Sequence, residues 1–552
     1  MNAAESGLRR TVVACLVIGF VAAATWWPRA EGPIDLRWDG GAYYILGTSL
    51  AKGEGYRLLS EPGNSESSLH PPFLPALVAT YQTLLQTSDP VRVGHVLRLT
   101  VALFSVAYGI AIFVLLSAYI PRTYALAAAL IAVLQPQYAY FSDSLYAETF
   151  FALFTVLFFI LQRYRANTAC FLLSGLCAVL AYEARTAGIA LLAAWVAESL
   201  LRRDYRRAAI AFAIAVVPIV SWMGWIKAVE SSPDYRQPAY AYQRAPYVYF
   251  NVSYARNLMV LADPSTPELG PLTTSVLLDR VWSNVKALPV NIGQAVSGWE
   301  AQAWVALPLA FLVLIGMILQ ARRKQYLMLM YVALSLAAVC LTPFQKQFVR
   351  YLMPLYPFFA LALFQLLAKL AQEPGFSTRL LPGYARVIPV CIVVSVIAYQ
   401  EFHDLRKLYG LNHHDAAYEH RGQLVKYKLF YYAPVGTAFD QALDWLQPRA
   451  ELADVIAATD PQWVYLRTGR KAVLPPFESD GKRAQQLIDT VPVKYLIVET
   501  KPERLGLGAY HRFTSALLRE NPGQWTRIWS SDDRTVEIFR RERGLRPREG
   551  SE

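Results

Sequence analysis

Long apolar runs alternate along the chain with short segments that carry the arginines and lysines. Seven runs, at 11–27, 99–120, 123–142, 208–226, 304–320, 326–344 and 351–368, approach the roughly 20 residues needed to cross the hydrocarbon core of a bilayer. Four more, at 145–162, 168–184, 186–201 and 386–402, are shorter or carry more polar positions. The stretch 168–201 is too long for one crossing and is interrupted by Glu183 and Arg185, so two helices are predicted there. The pattern gives a polytopic α-helical membrane domain over 1–402 with about eleven transmembrane helices. Its two long loops fall at about 28–92 and 227–302.

The pattern changes beyond residue 402. Residues 403–434 read as a linker, and 435–552 as a small α/β domain. In that domain Thr437–Gln447 predicts a helix, and Ala453–Ala458 a strand running into an Asp460-Pro461 turn. Lys471–Leu474, Val493–Glu499, Trp525–Ser530 and Thr535–Phe539 predict further strands, with helical patterns near 480–490 and 508–520 between some of them. The order predicts a parallel core with an antiparallel edge. There is no Gly-rich phosphate loop.

The basic residues test the helix count, because Lys and Arg are retained on the cytoplasmic side. Arg9 and Arg10 place the N-terminus inside. Alternation then puts Arg122, Arg163 and Arg165 inside, with Arg202, Arg203, Arg206 and Arg207. It does the same for Arg322, Arg323 and Lys324, and for Lys369, Arg379 and Arg386. A wrong count inverts some of these clusters. Both long loops and the C-terminal domain therefore fall outside the cytoplasm, as do the turns near 143, 185 and 346. Two arginines, an apolar run and Ala22-Ala23-Ala24 also fit a cleaved signal peptide. The length of the run and Trp26-Trp27 at its end favour a retained first helix.

Composition narrows the class. Charged residues make up 17% of the chain, against about 25% in a soluble domain. The formal charge of +12 comes from 53 Lys and Arg against 41 Asp and Glu. These cations cluster at the ends of apolar runs, which suits a membrane-lipid environment and implies no nucleic-acid partner. The five cysteines lie in apolar runs, so neither a disulfide framework nor a zinc site is indicated.

In a chain this poor in charge, ionisable residues at the outer ends of helices are the informative ones. Asp39 precedes a segment, 42–52, in which Tyr43, Leu46 and Leu50 share one helical face. This predicts a short amphipathic helix lying on the bilayer, with Asp39 at its N-terminus either as a simple cap or facing a cavity. Asp143 and Glu148 flank the outer end of the 145–162 helix, where capping and favourable dipole placement are the plain reading. Arg185, Lys346 and Arg350 are expected at the outer face against the general bias, where anchoring to lipid headgroups is the plain reading. Arg185 is two residues from Glu183, a spacing that does not bring them face to face, and is placed instead to meet Glu148 across the bundle. The tyrosines of 235–249, with Arg236 and Arg244, read as an interface belt before a sugar site. Asn251-Val252-Ser253 is a formal glycosylation sequon, and His413-His414 read as solvent-exposed.

Several of these segments resemble one family. Asp39, then Tyr43, then a helix ending in Ala51-Lys52-Gly53-Glu54-Gly55-Tyr56 resembles the first external loop of GT-C glycosyltransferases. The relevant relatives are the protein O-mannosyltransferases and the bacterial aminoarabinose transferases of lipid A, which depend on phospholipid carriers. His70-Pro71-Pro72-Phe73-Leu74-Pro75 resembles the family's Pro-Pro segment before its second helix. Ser142 to Glu148 resembles the acidic turn between the third and fourth helices, and Arg350-Tyr351-Leu352-Met353-Pro354 the start of a late one. The resemblance spans most of residues 1–370. Gly40 stands where the family usually has a second acidic residue, and His70 where the aminoarabinose transferases tend to have Lys.

The resemblance implies a GT-C-like membrane enzyme, an inverting glycosyltransferase. It would move a sugar, hexosyl or pentosyl, from a polyprenyl-phosphate donor to an acceptor at the outer membrane face. The acceptor would be an envelope lipid, glycan or protein; the compact loops and the absence of organelle signals suit a bacterial inner membrane. Asp39 is then the general base, and Arg350, Lys346 and Arg185 the ligands of the leaving phosphate. Glu148, Asp143, His70 and Tyr43 are then acceptor-binding or orienting residues. The resemblance fixes no cofactor and leaves metal dependence open, a divalent cation being compatible with the chemistry. A transporter or flippase of lipid-linked sugars is the alternative. It predicts charges near mid-bilayer and pseudo-symmetric halves, whereas here the odd charges sit at helix ends and the loops are unequal. A non-catalytic assembly protein or an oligosaccharide ligase has less motif support.

Overall fold

The computed structural model describes residues 3–372, 387–411, 415–432, 434–500 and 510–542. Arg379, Arg386, His413 and His414 lie outside the described residues. Among the described residues six helices are long and apolar enough to cross a membrane. They are Gly7–Arg29, Pro90–Leu116, Tyr205–Ser231, Ala303–Arg322, Gln345–Ala371 and Ile388–Lys407. The chain is an integral membrane protein.

The expected crossing 123–142 is a broken pair, Arg122–Leu134 and Pro136–Asp143, bent by 54°. Proline disfavours the helical conformation in the residue before it, and Gln135 is accordingly extended, with ψ 139°. Counting that pair as one span gives seven. Ala147–Gln162, Thr168–Ala184, Thr186–Leu201 and Tyr326–Leu341 are shorter apolar helices, each on one of the runs expected to be helical. The break expected between 168–184 and 186–201 falls at Arg185, whose backbone is extended at φ −153°.

The chain divides into two compact units. The first consists of Met1–Glu31, Arg98–Trp222 and Asp279–Leu411 and is helical. Its interior is aromatic. Trp195 packs on Phe171 and Phe158 at ring separations of 5.1 and 5.8 Å, and Phe159 on Phe358 at 4.8 Å. Ala147–Gln162 is buried almost all round, as an apolar helix without a polar face must be. The expected loop 227–302 contains a 24-residue helix, Thr274–Ser297. Asn284 of that helix donates to the carbonyls of Cys340 and Thr342 at 2.9 and 2.8 Å, satisfying the end of Tyr326–Leu341.

The second unit consists of Gly32–Leu97, Met223–Leu278 and Asn412–Glu552. The expected linker 403–434 carries the end of the Ile388–Leu411 helix and an antiparallel hairpin, β1 Asp415–His420 and β2 Gln423–Lys428. Five strands follow: β3 Val455–Ala457, β4 Ala472–Val473, β5 Val493–Glu499, β6 Trp525–Ser530 and β7 Val536–Arg541. Their order is β4-β3-β5-β7-β6. β3 pairs parallel with β4 and β5, and β7 pairs antiparallel with β5 and β6, the parallel core and antiparallel edge read from the sequence.

Three local expectations change in this unit. Asp460-Pro461 does not close a turn. Asp460 caps a helix, Pro461–Thr468, accepting from the Trp463 N–H at 3.1 Å, with proline at the first helical position. The tyrosines of 240–247 are not an interface belt. Tyr240, Tyr242 and Tyr247 are buried in one core with Val455, Leu496 and Phe477, and Tyr247 stacks on Phe477 at 4.9 Å. One face of the sheet offers apolar surface, and this loop covers it.

The helix expected at 42–52 begins earlier, at Asp39, and runs to Ala51. It is not a surface helix: residues 40–49 are all buried. Its glycines explain this. A Cβ at Gly47 would stand 2.7 Å from the Pro75 carbonyl oxygen, so the Phe73–Leu85 helix can approach only a glycine. The Pro71-Pro72 segment leads into that 13-residue helix and not directly into the long Pro90–Leu116.

Candidate active site residues

The candidate residues fall into two sets, one in each unit. Asp39, Tyr43 and His70 belong to the second. Asp39 is the first residue of its helix, where a carboxylate is favoured by the exposed backbone N–H groups. The residue before it, Trp38, has φ 60° and ψ −127°. One turn further on, the ring of Tyr43 meets that of His70 edge-on at 4.7 Å. The His70 carbonyl accepts from the Tyr56 hydroxyl at 2.8 Å, which ties the end of the glycine-containing Lys52–Tyr56 segment to the Pro-Pro segment. The first-loop motifs, some thirty residues long in sequence, are thus brought together in space around this one short helix.

Asp143, Glu148, Arg185, Lys346 and Arg350 belong to the first unit. Glu148 lies in the first turn of Ala147–Gln162 and is fully buried. One of its carboxylate oxygens takes both Arg185 and Arg350. Arg185 leaves from the extended break after Thr168–Ala184, and Arg350 from the short Phe348–Leu352 helix. Each guanidinium also lies against an aromatic face: Arg350 over Tyr146 at 4.6 Å and Arg185 over Tyr351 at 5.1 Å. Both arginines keep about a fifth to a quarter of their side-chain surface exposed (21% and 24%), whereas the carboxylate has none. Lys346 is exposed, on the 3-10 turn Gln345–Gln347.

Asp143, five residues before Glu148, holds a different pair of arginines. It pairs with Arg29 at 3.2 Å and Arg98 at 3.5 Å, and all three side chains are buried. Neither arginine was singled out from the sequence. The signal for Arg29 is its place just after the first helix, on the outer side by the charge pattern. The signal for Arg98 is its place eight residues inside the Pro90–Leu116 helix, deeper than Arg92, the other arginine there.

The second unit holds further buried ionisable groups that the sequence reading passed over. Burial pushes the Glu61 carboxyl up to about 7, although Tyr240, Asn251 and Gln243 all donate to one of its oxygens. Burial likewise pushes Asp460 up to about 7, against the N–H groups of Trp38 and Trp463. Burial acts the same way on Asp440, but Arg37 and Arg467 reverse it and hold the carboxylate below its usual range. Asn251, the sequon asparagine, is fully buried with its amide committed to Glu61. Among the described residues, no three His, Cys, Asp or Glu side chains are grouped to hold a metal ion.

No protein-family profile matches this chain, and no curated protein sequence does. Solved structures do. The archaeal oligosaccharyltransferase AglB from Archaeoglobus fulgidus, in complex with an inhibitory peptide and a dolichol-phosphate, matches over 96% of this chain and 74% of its own. The TM-score is 0.56 at 10% identity. The oligosaccharyltransferase of that organism tethered with an acceptor peptide matches with TM-score 0.55 at 13% identity, over 97% of this chain and 74% of that one. ArnT from Cupriavidus metallidurans in the apo state aligns over 98% of both chains, with TM-score 0.47 at 12% identity. The chain shares the fold of these archaeal oligosaccharyltransferase structures.

Proposed function

We propose that this protein is an inverting glycosyltransferase that moves a sugar from a polyprenyl-phosphate donor to an acceptor at the outer face of a bacterial inner membrane. The observation that carries the reading is the convergence of Arg185 and Arg350 on the buried Glu148 carboxylate, in a chain that shares the fold of AglB. Two guanidiniums held by one buried carboxylate and against two aromatic faces, each with about a fifth to a quarter of its side-chain surface exposed, suit a lipid-linked phosphate. The AglB structure with the same fold holds a dolichol-phosphate.

In this reading the acceptor oxygen attacks C1 of the sugar as Asp39 takes its proton. The C1–oxygen bond to the phosphate breaks from the opposite side, and the electron pair leaves with the phosphate. The transition state is oxocarbenium-like. Arg350, with Arg185 and Lys346, stabilises the charge that grows on the leaving phosphate. Glu148 orients the two arginines, while His70, Tyr43 and Asp143 shape or orient the acceptor side. In the same reading the seven spans and four shorter apolar helices correspond to the eleven crossings, with the N-terminus inside and residues 435–552 outside. Transport is the weaker reading, since AglB and its fellow match are transferases.

The test is sugar transfer in membranes carrying wild type or Asp39→Asn, supplied with radiolabelled polyprenyl-phosphate sugars. Wild type consumes one donor and the asparagine variant, equally abundant, does not. Equal transfer by both would remove Asp39 as the base.

A further inference from the structure

We infer that the C-terminal sheet domain is a clamp that fixes the backbone carrying Asp39, with Asp460 as the positioning residue. This rests on the proposed role of Asp39 as base.

The backbone next to Asp39 is strained. Trp38 has φ 60° and ψ −127°, a conformation that a residue with a Cβ rarely adopts and that persists only where its surroundings impose it. The imposing contact comes from 422 residues further along the chain. The Trp38 N–H donates to Oδ2 of Asp460 at 2.8 Å. The other oxygen of Asp460, Oδ1, accepts from the Trp463 N–H and caps the Pro461–Thr468 helix. One carboxylate therefore joins a helix of the sheet domain to the residue that sets the start of the Asp39 helix.

The flanking residues are held by the same domain. Arg37 lies between the rings of Tyr432 and Trp463, at 4.7 and 4.8 Å, and pairs with Asp35 at 2.7 Å and Asp440 at 2.5 Å. Asp440 is fully buried and also accepts from the Tyr432 hydroxyl, the Trp463 indole N–H and Arg467. On the other side of Asp39, a Cβ on Gly41 would lie 2.8 Å from the Gln462 Cβ and 2.9 Å from the Leu36 carbonyl oxygen. Residues 37, 38 and 41 are thus each fixed by the segment 432–467, with Asp39 between them. A general base works only where it reaches the proton it removes, and misplacement by about 1 Å costs about 100-fold in rate. A domain whose only task was stability has no need to hold a neighbouring backbone in a strained conformation.

The experiment uses the full chain in membranes and the variant Asp460→Asn. Asparagine keeps one oxygen for the Trp463 cap but turns an amide N–H₂ toward the Trp38 N–H. With the donor that wild type consumes, kcat falls about 100-fold while KM for the donor stays within about twofold, since donor binding is untouched. Hydrogen exchange of the peptide spanning 34–46 rises about tenfold, with peptides from β3, β5 and β7 unchanged. Gly41→Ala, which alters no buried charge, gives the same kcat loss if Asp460→Asn does not fold. Wild-type kcat in both variants overturns the positioning role, and unchanged exchange overturns the clamp. If wild type itself consumes no donor, the glycosyl-transfer reading fails separately, and the exchange measurement alone decides the clamp.

Discussion

Glu148 holds the side chain of Arg350, 202 residues further along the chain, on the same carboxylate oxygen that takes Arg185. The carboxylate is fully buried, whereas the Arg350 and Arg185 side chains keep 24% and 21% of their surface exposed.

Glu148→Gln removes the charge and leaves two guanidiniums close together without their common counter-ion. Breaking a buried pair by removing one partner costs about 3–5 kcal/mol. The expected outcome is a lower thermal midpoint in detergent and a raised KM for the lipid-phosphate donor. Arg350→Lys, which keeps the charge but loses the fork geometry, should raise KM with a smaller loss of stability. Equal donor dependence in all three proteins would remove Arg350 from phosphate binding.

Asp143 answers two buried arginines, Arg29 and Arg98. Asp143→Asn leaves both charges facing an amide, so the variant should lose about 3–5 kcal/mol of stability. Thermal unfolding of the purified protein in detergent checks this. A midpoint within a degree or two of wild type would show that the triad contributes little.

Glu61 gives a pH dependence with a definite sign. Its carboxyl is raised from 4.5 to about 7 by burial in the folded protein, so the fold binds this proton more tightly than the unfolded chain does. The stability it contributes is fully present below about 4.5 and is lost as pH rises through about 7. Glu61→Gln cannot lose that proton. Its midpoint should exceed that of wild type at pH 8, by up to about 3 kcal/mol of stability, and the difference should shrink toward pH 5. A difference that does not change with pH would show that Glu61 titrates normally.

The sequon at Asn251 should stay unmodified, because its amide is buried and donates to Glu61. Expressed in a host that glycosylates Asn-x-Ser, the protein should run at the same mass before and after glycosidase treatment. A glycosidase-sensitive shift lost in Asn251→Gln would overturn the burial.

Much of the architecture was legible because it depends on short-range pattern. Val493–Glu499 is strand over the expected residues, since β5 is a central strand whose stretch Tyr495–Val498 is apolar and buried. The Glu148–Arg185 pair was legible as well, from two charges at helix ends in an apolar chain. What was hidden depends on distant partners. Glu61 stands in a Ser-Glu-Pro-Gly stretch that reads as a surface turn, and only Tyr240, Gln243 and Asn251 make it interior. Asp460-Pro461 carries turn and helix-start signals alike, and the helix that follows decided between them. The Asp39 helix looked amphipathic because Gly41 and Gly47 count as neutral in a periodicity, whereas in space they mark the sides approached most closely.

The bond between Trp38 and Asp460 also sets an order of assembly. At about 5–20 residues per second, the 422 residues between them take about 20–80 s to synthesise. During that time the Asp39 segment has emerged but lacks the carboxylate that fixes its backbone. The Asp39 segment is therefore completed only after Asp460 emerges, and a chain truncated before Asp460 should hold every candidate span found among the described residues while the segment 34–46 remains unset.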